Sequence, residues 1–231
     1  MARCLVLGAD GFMGSHLTEA LTAKGHFVRA FDHFYNNQAK NLPTGLNNVE
    51  LFPGDFLNLQ NLEDALSAVE YVFHFISTTN QASSAADPLV DLNSNVKTSV
   101  ELFQLCANKK IKRIIFSSSG GTIYGRSSKA DISELDRIEP VSPYAIGKAT
   151  IENYLGYFEQ TANLDSLVFR ISNAYGERQN LVGSQGVIPI FLNQIKHQKP
   201  LSIIGDGEMV RDYIYVKDVA KIIATIFDKP H

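Results

Sequence analysis

The chain has 231 residues, a net charge of −3 at pH 7, 45% hydrophobic and 19% charged residues. That length holds one large domain, or a domain with a small annex. The charge balance, with no dense Lys/Arg block, speaks against a nucleic-acid binder. No apolar run approaches membrane-spanning length, and the first one ends at Gly8, which excludes a signal-peptide pattern.

Strand and helix patterns alternate along the chain. Residues 4–7, 27–31, 49–52, 71–76, 114–117 and 166–170 are short apolar runs rich in Val, Ile and Phe. They read as strands buried on both faces. Helical periodicity lies between them at 13–23, 59–68, 89–107 and 143–162. Repeated βα units predict an α/β fold: a doubly wound parallel sheet with right-handed crossovers and helices on both sides. From about Asn173 the pattern changes. A polar, glycine-bearing stretch runs from Tyr175 to Gly186, followed by a helix at 187–196 and an apolar run at 201–204. A Gly205-Asp206-Gly207 turn, a strand at 210–216 and a final helix at 219–227 complete the chain. Long loops on such sheets gather at the carboxyl ends of the strands, so this part reads as a substrate-side annex. The division expected is 1–172 for a nucleotide-binding domain and 173–231 for the annex with its return to the sheet. Cys4 and Cys106 lie in a strand and a helix and read as buried free thiols, which suits a reducing cytosol. Lys109, Lys110, Lys112 and Arg113 read as a solvated helix end.

The first strand opens into Gly8-Ala9-Asp10-Gly11-Phe12-Met13-Gly14, and Asp32 ends the second. Gly8 allows a sharp turn, Gly11 a close approach of backbone to a pyrophosphate, and Gly14 close packing of helix on strand. The pyrophosphate then meets the positive end of the helix. Strand, glycine triplet, helix, second strand and acidic residue together are a dinucleotide-binding signature; glycine-rich turns alone would not be.

Tyr144-Ala145-Ile146-Gly147-Lys148 starts a helix after the cap Ser142 and the first-turn Pro143. Residues four apart share a face, so Tyr144 and Lys148 point the same way. A neighbouring ammonium favours a phenolate, and the pair could move a hydroxyl proton while a nicotinamide exchanges hydride. An exposed Tyr with a Lys one turn later is the plain alternative. Upstream, Phe116-Ser117-Ser118-Ser119-Gly120-Gly121-Thr122-Ile123-Tyr124-Gly125 leaves the fifth strand with hydroxyls that could bind a substrate oxygen, or merely form a polar strand exit.

On these motifs the chain resembles the extended short-chain dehydrogenase/reductase superfamily, in its nucleotide-sugar epimerase and dehydratase branch. Further matches are Gly54-Asp55-Phe56, His74-Phe75, Asn95-Val96, Arg170-Ile171-Ser172-Asn173-Ala174-Tyr175-Gly176 and Arg211-Asp212-Tyr213-Ile214. The resemblance implies NAD as cofactor and epimerisation of a nucleotide-sugar through a transient 4-keto form, as in UDP-glucose 4-epimerase. A reductase or decarboxylase on the same scaffold, or a non-catalytic NAD-binding protein, remains the alternative. It assigns Gly8, Gly11, Phe12, Met13 and Gly14 to the pyrophosphate turn and Asp32 to the adenosine ribose, which favours NAD over its 2′-phosphate. Asp55 and Phe56 match adenine contacts. Phe75, Ile76, Ser77 and Asn95 match cofactor-lining positions, although Phe75 and Ile76 also suit sheet core. Ser118 and Ser172 match positions at the nicotinamide end, where Tyr144 and Lys148 also lie. Asn173, Val187 and Arg211 match positions that hold the nucleotide diphosphate; an ion pair of Arg211 with Asp212 or Asp218 is the alternative.

Two departures stand out. The epimerases' hydroxyl residue lies four before the Tyr-Gly pair, which here is Gly120, so Ser119 or Thr122 must supply it, with Thr122 narrowly preferred. Where the dehydratases carry an acidic pair, Gly121 and Thr122 stand, which argues against 4,6-dehydration. Family members also run on beyond the Arg-Asp-Tyr segment, so the annex is expected to be truncated, binding NAD but holding a UDP-sugar poorly. Apolar surface near Ile204, Ile214 and the last helix would then be exposed. No metal is implied. A cytoplasmic homodimer is, paired through the 89–107 and 143–162 helices.

Overall fold

A computed structural model describes residues 1–126, 131–181, 186–203 and 205–230. Six parallel strands form the sheet: β1 (Arg3–Leu7), β2 (Phe27–Asp32), β3 (Val49–Pro53), β4 (Tyr71–His74), β5 (Arg113–Ser119) and β6 (Asp165–Ile171). Their order is β3-β2-β1-β4-β5-β6, and the order reverses between β1 and β4. In a doubly wound sheet that reversal opens the crevice where a dinucleotide binds.

Alternation along the strands feeds two cores. Leu5, Leu7, Val72, Ile114 and Phe116 face one side, against α2 (Leu59–Ala65), α5 (Lys97–Asn108) and α6 (Pro143–Ala162). Cys4, Val6, Val28, Ala30 and Ile115 face the other, against α1 (Phe12–Ala23) and α8 (Val216–Ile226). Both cysteines are free and buried. Phe227 is fully buried beneath the sheet, its ring edge-on to His26, Tyr71 and Phe73 at centroid distances of 5.1, 4.9 and 5.2 Å.

Several elements differ from the sequence expectation. The fourth strand ends at His74, because Phe75 and Ile76 turn past Gly8 into the crevice. The helix expected at 89–107 runs continuously from Pro88 to Asn108, but it carries a π-helical turn and is preceded by a short helix after Asn80 that the sequence did not signal. Asn80 and Asp87 cap the short helices α3 (Gln81–Ala86) and α4 (Pro88–Asp91), with Pro88 in the first turn of the second. A π-helical turn, Leu92–Val96, then joins α4 to α5. The apolar residues 201–203 form no regular element, and Ile204 lies outside the described residues. The strand expected at 210–216 shrinks to β8 (Tyr213–Tyr215), which pairs in parallel with β7 (Asn173–Tyr175), a strand the sequence did not signal. Val216 already opens α8. Val216, Val219, Ala220 and Ile223 are buried at helical spacing, whereas Ile222 on the same helix and Ile203, Met209 and Val210 before it are exposed, so the apolar surface expected in this region is present in part. α7 (Val187–Lys196) lies where expected.

The basic cluster also departs from expectation. Arg113 is buried at the start of β5, ion-paired to Asp165 at 2.5 Å, and donates to the Phe227 and Lys229 carbonyls at 2.9 and 2.7 Å. A buried guanidinium needs such partners. Here the return of α8 to the sheet supplies two of them.

Candidate active site

The glycine turn is a cradle with no room for side chains. A Cβ on Gly14 would stand 2.0 Å from the Gly8 carbonyl oxygen, and one on Gly8 would meet the Ile76 backbone at 2.9 Å. Gly8 also has φ +82°, a conformation glycine adopts without strain. Gly11 is the extended N-cap of α1 and brings no side-chain cap, so the N–H groups of the first turn, at Phe12 and Met13, face the crevice. These features fit a dinucleotide pyrophosphate at the helix end.

Asp32 is fixed by two backbone donors. Its Oδ1 accepts from His33 N–H at 2.8 Å and its Oδ2 from Asp10 N–H at 2.9 Å. Each oxygen keeps a lone pair for ribose hydroxyls. Asp10 is a site residue that motif reading passed over. Its carboxylate accepts from the backbone N–H groups of Lys40, Asn41 and Leu42 at 2.8, 2.7 and 3.1 Å, pinning the segment after β2 over the glycine turn. An acidic residue inside the glycine motif, where a turn needs none, was its only signal.

Ser142 caps α6, its Oγ accepting from Ala145 N–H at 3.3 Å. The first turn of α6 then aims Tyr144 and Lys148 at the crevice. Lys148 is buried and donates from Nζ to the Ser117 carbonyl at 2.8 Å, with Nζ 5.7 Å from the centre of the Tyr144 ring. Burial lowers the Lys148 pKa to about 8, against the opposing pull of Asp91 and Glu152. Burial, reinforced by Asp91, raises the Tyr144 phenol to about 12. This corrects the expectation that the ammonium lowers it: in the chain by itself desolvation wins.

Lys148 therefore carries a stability penalty. Its folded pKa lies below the 10.5 of an unburied lysine, so between about 8 and 10.5 the unfolded state binds more protons and stability rises with pH. The penalty is fully present below about 8. From about pH 8 to 10.5 the melting temperature of the native chain is therefore expected to rise relative to that of Lys148→Met. A difference between the two that does not change with pH would show that lysine burial does not set it.

The structure explains the glycine at 120. A Cβ there would stand 2.5 Å from the Arg170 carbonyl oxygen, while Gly120 N–H donates to the Ile171 carbonyl at 2.8 Å. The chain lies flat against β6 and leaves no space for a hydroxyl side chain. Ser119 and Thr122 instead form one unit, Thr122 Oγ1 donating to Ser119 Oγ at 2.8 Å. Ser118 points elsewhere: its hydroxyl donates to Glu152. Glu152 also ion-pairs Arg170 at 2.8 Å, and Arg170 donates to the Tyr124 hydroxyl and the Glu134 carbonyl, each at 2.8 Å. That network braces the segment after β5. Thr122→Ala and Ser119→Ala are expected to lose turnover together, Thr122→Ala the more, while Ser118→Ala acts mainly on stability. Equal activity in all three would reduce the segment to a polar strand exit.

The remaining predicted residues divide. Ile76, Ser77 and Asn95 wall a small cavity with Tyr144 and Lys148. Asn95 Oδ1 accepts from Thr78 N–H at 2.9 Å, and its Nδ2 donates to Thr79 and Asp91 at 2.8 and 3.0 Å. Asn95 thus holds the segment after β4. Phe75 packs against the α1 core. Phe56 is 1% exposed and lies against His74, so its side chain is core and only its backbone can meet a ligand. Asp55 Oδ1 accepts from Leu57 N–H at 2.9 Å at the sheet edge. Ser172 joins β6 to β7 and is partly buried. Asn173 abuts Gly121, and its Nδ2 donates to the Asp212 carbonyl at 2.8 Å. Val187 begins α7 half-exposed. Arg211 is exposed and donates to the Val210 carbonyl at 2.9 Å; among the described residues it makes no ion pair with Asp212 or Asp218. Neither Val187, at the start of α7, nor Arg211, just before β8, lines that cavity. Among the described residues no group of His, Cys, Asp or Glu is arranged to hold a metal, and no helix is long and apolar enough to cross a membrane.

Known proteins share this arrangement. Residues 4–231 match the NAD dependent epimerase/dehydratase family. A putative UDP-glucose 4-epimerase of Methanocaldococcus jannaschii is 33% identical over 220 residues, 94% of this chain and 70% of that protein. The structure of Thermus thermophilus UDP-glucose 4-epimerase in complex with NAD superimposes with a TM-score of 0.90 at 32% identity, covering 99% of this chain and 75% of that one. That of Thermotoga maritima UDP-glucose 4-epimerase with UDP-glucose gives 0.89 at 34%, covering 97% and 73%. With the glycine cradle, the reversal of strand order and the Tyr144/Lys148 face already in one crevice, the chain belongs to the NAD dependent epimerase/dehydratase family.

Proposed function

We propose that this chain epimerises a nucleotide-sugar, a UDP-sugar by its relatives' names, at C4 with NAD as retained cofactor. The observation that carries the reading is the buried Tyr144/Lys148 pair on the crevice face of α6, beside a glycine cradle that excludes side chains. Tyr144 takes the proton of the C4 hydroxyl and later returns it to the inverted carbon. Lys148, held by the Ser117 carbonyl, keeps an ammonium beside the phenol at neutral pH. The Thr122/Ser119 pair holds the C4 oxygen. When bound, NAD supplies the hydride acceptor at C4 and a positive charge that favours the phenolate. Asn173, Val187 and Arg211 hold the diphosphate, and residues 173–231 form the substrate annex; the separate β7–β8 pairing supports that division. Leu92, Ile146, Tyr154 and Tyr157 are 40–56% exposed on the π turn and α6, which suits a homodimer paired through these helices.

The direct test is mass spectrometry of the ligand retained on purification, followed by incubation with UDP-glucose and UDP-N-acetylglucosamine. Retained NAD and formation of the corresponding galacto-sugar are expected. Net consumption of reduced cofactor by a keto-sugar would instead select the reductase reading. Asp32 sets the cofactor arm: NAD is expected to bind at least tenfold more tightly than its 2′-phosphate, about 1.4 kcal/mol. Asp32→Ala narrows that gap, and equal affinities in the native chain would overturn the ribose assignment.

A further inference from the structure

Asp91 is a buried carboxylate in the wall of the Tyr144/Lys148 cavity, and nothing in the proton transfer uses it. It ends α4, immediately before the π turn, and is 3% exposed. Its Oδ1 accepts from the Asn95 amide at 3.0 Å and from the Thr79 hydroxyl. Its Oδ2 lies over the Cα of Gly147, where a Cβ would stand 2.3 Å away. Gly147 sits between Tyr144 and Lys148 on α6. The cavity these residues share is about 10 Å³, so there is almost no slack between the carboxylate and the helix.

We propose that Asp91 is a positioning residue for the Tyr144/Lys148 pair. Its carboxylate, pinned by Thr79 and Asn95, fills the space a side chain at 147 would need and docks the first turn of α6 on the π turn. The proposal rests on reading Tyr144 and Lys148 as the acid–base pair. A buried carboxylate is costly unless opposite charge and donors compensate it. Here the compensation comes from Lys148, Thr79 and Asn95. Asp91 in turn supports the Lys148 ammonium against burial, as does Glu152 from the same helix. Tyr144 on α6 and His74 on β4 are the other titratable groups walling the cavity with Lys148. Asp91 and Asn95, four apart, face inward together as i and i+4 residues of a helix do, and the π turn follows directly after Asp91.

Two readouts test this without sugar turnover. The first is a double-mutant cycle of thermal unfolding with Gly147→Ala, Asp91→Ala and the double variant. Gly147→Ala is expected to lower the melting temperature in the native background. In the Asp91→Ala background the space is open and alanine favours helix, so the same change should cost nothing or stabilise. The second is the titration of the Lys148 ¹³Cε signal, identified by its loss in Lys148→Met. The isosteric Asp91→Asn should move its midpoint down by about one unit, the scale of a nearby charge, with folding checked by NAD binding. Gly147→Ala costing the same in both backgrounds overturns the proposal, and so does a Lys148 midpoint unmoved by Asp91→Asn. Because neither readout involves epimerisation, loss of the epimerase reading would leave them standing, and their failure would leave that reading intact.

Discussion

Tyr144→Phe is expected to lose turnover by roughly a hundredfold or more, the scale of a positioned acid–base group, while NAD affinity stays within a few fold. The phenylalanine keeps the ring and its burial at the start of α6 and removes only the oxygen. Ser142 still caps the helix and Lys148 still reaches the Ser117 carbonyl, so the surroundings should hold. The size of the loss follows from the site. With the free-chain phenol near 12 and Lys148 near 8, the phenolate forms only when the assembled site favours it, and phenylalanine leaves no oxygen there to carry the proton. Steady-state conversion between the two UDP-sugars, with calorimetric NAD binding alongside, measures both arms. Turnover within threefold of native would remove Tyr144 from the mechanism. Loss of NAD binding as well would show that the substitution disturbed the crevice rather than the chemistry.

Gly14→Ala is expected to weaken NAD binding at least a hundredfold, about 2.7 kcal/mol, and to lower stability. Its Cβ would lie 2.0 Å from the Gly8 oxygen, 2.8 Å from the Gly8 carbonyl carbon and 3.1 Å from the Ala9 Cα. All three are backbone atoms, so no side chain can swing aside. α1 must lift from β1, carrying the first-turn N–H groups away from the pyrophosphate. Gly156→Ala is the control: it is helical in α6 and its added Cβ meets nothing within 4 Å. It should stabilise by up to ~1 kcal/mol, because alanine restricts the unfolded chain and favours helix. Native-like NAD affinity in Gly14→Ala would mean that the turn relaxes without cost and that the glycine spacing reports fold rather than ligand.

What the sequence by itself determined were features that depend on neighbours along the chain. Sheet class and the places of the six strands follow from apolar periodicity, although their ends do not. The helix at 143–162 follows from the Ser142 cap, Pro143 and regular spacing, and the structure begins and ends it at those residues. The shared face of Tyr144 and Lys148 follows from 3.6 residues per turn, and the glycine cradle from steric limits on a turn between strand and helix. Tertiary structure decided what depends on distant segments meeting. Gly120 reads as a lost hydroxyl in the sequence; the reason for the glycine is the Arg170 carbonyl, fifty residues on, pressed against it. Asp91 reads as one more polar residue in a helical stretch until folding sets its carboxylate against Gly147 of α6. Arg113 reads as part of a solvated basic cluster, yet the return of α8 buries it among carbonyls and Asp165. The Tyr144 phenol shows the same division in energetic terms. Its distance from Lys148 was legible as spacing, but the direction of its shift was not, because desolvation is set by everything that packs around the ring and not by the residue one turn away.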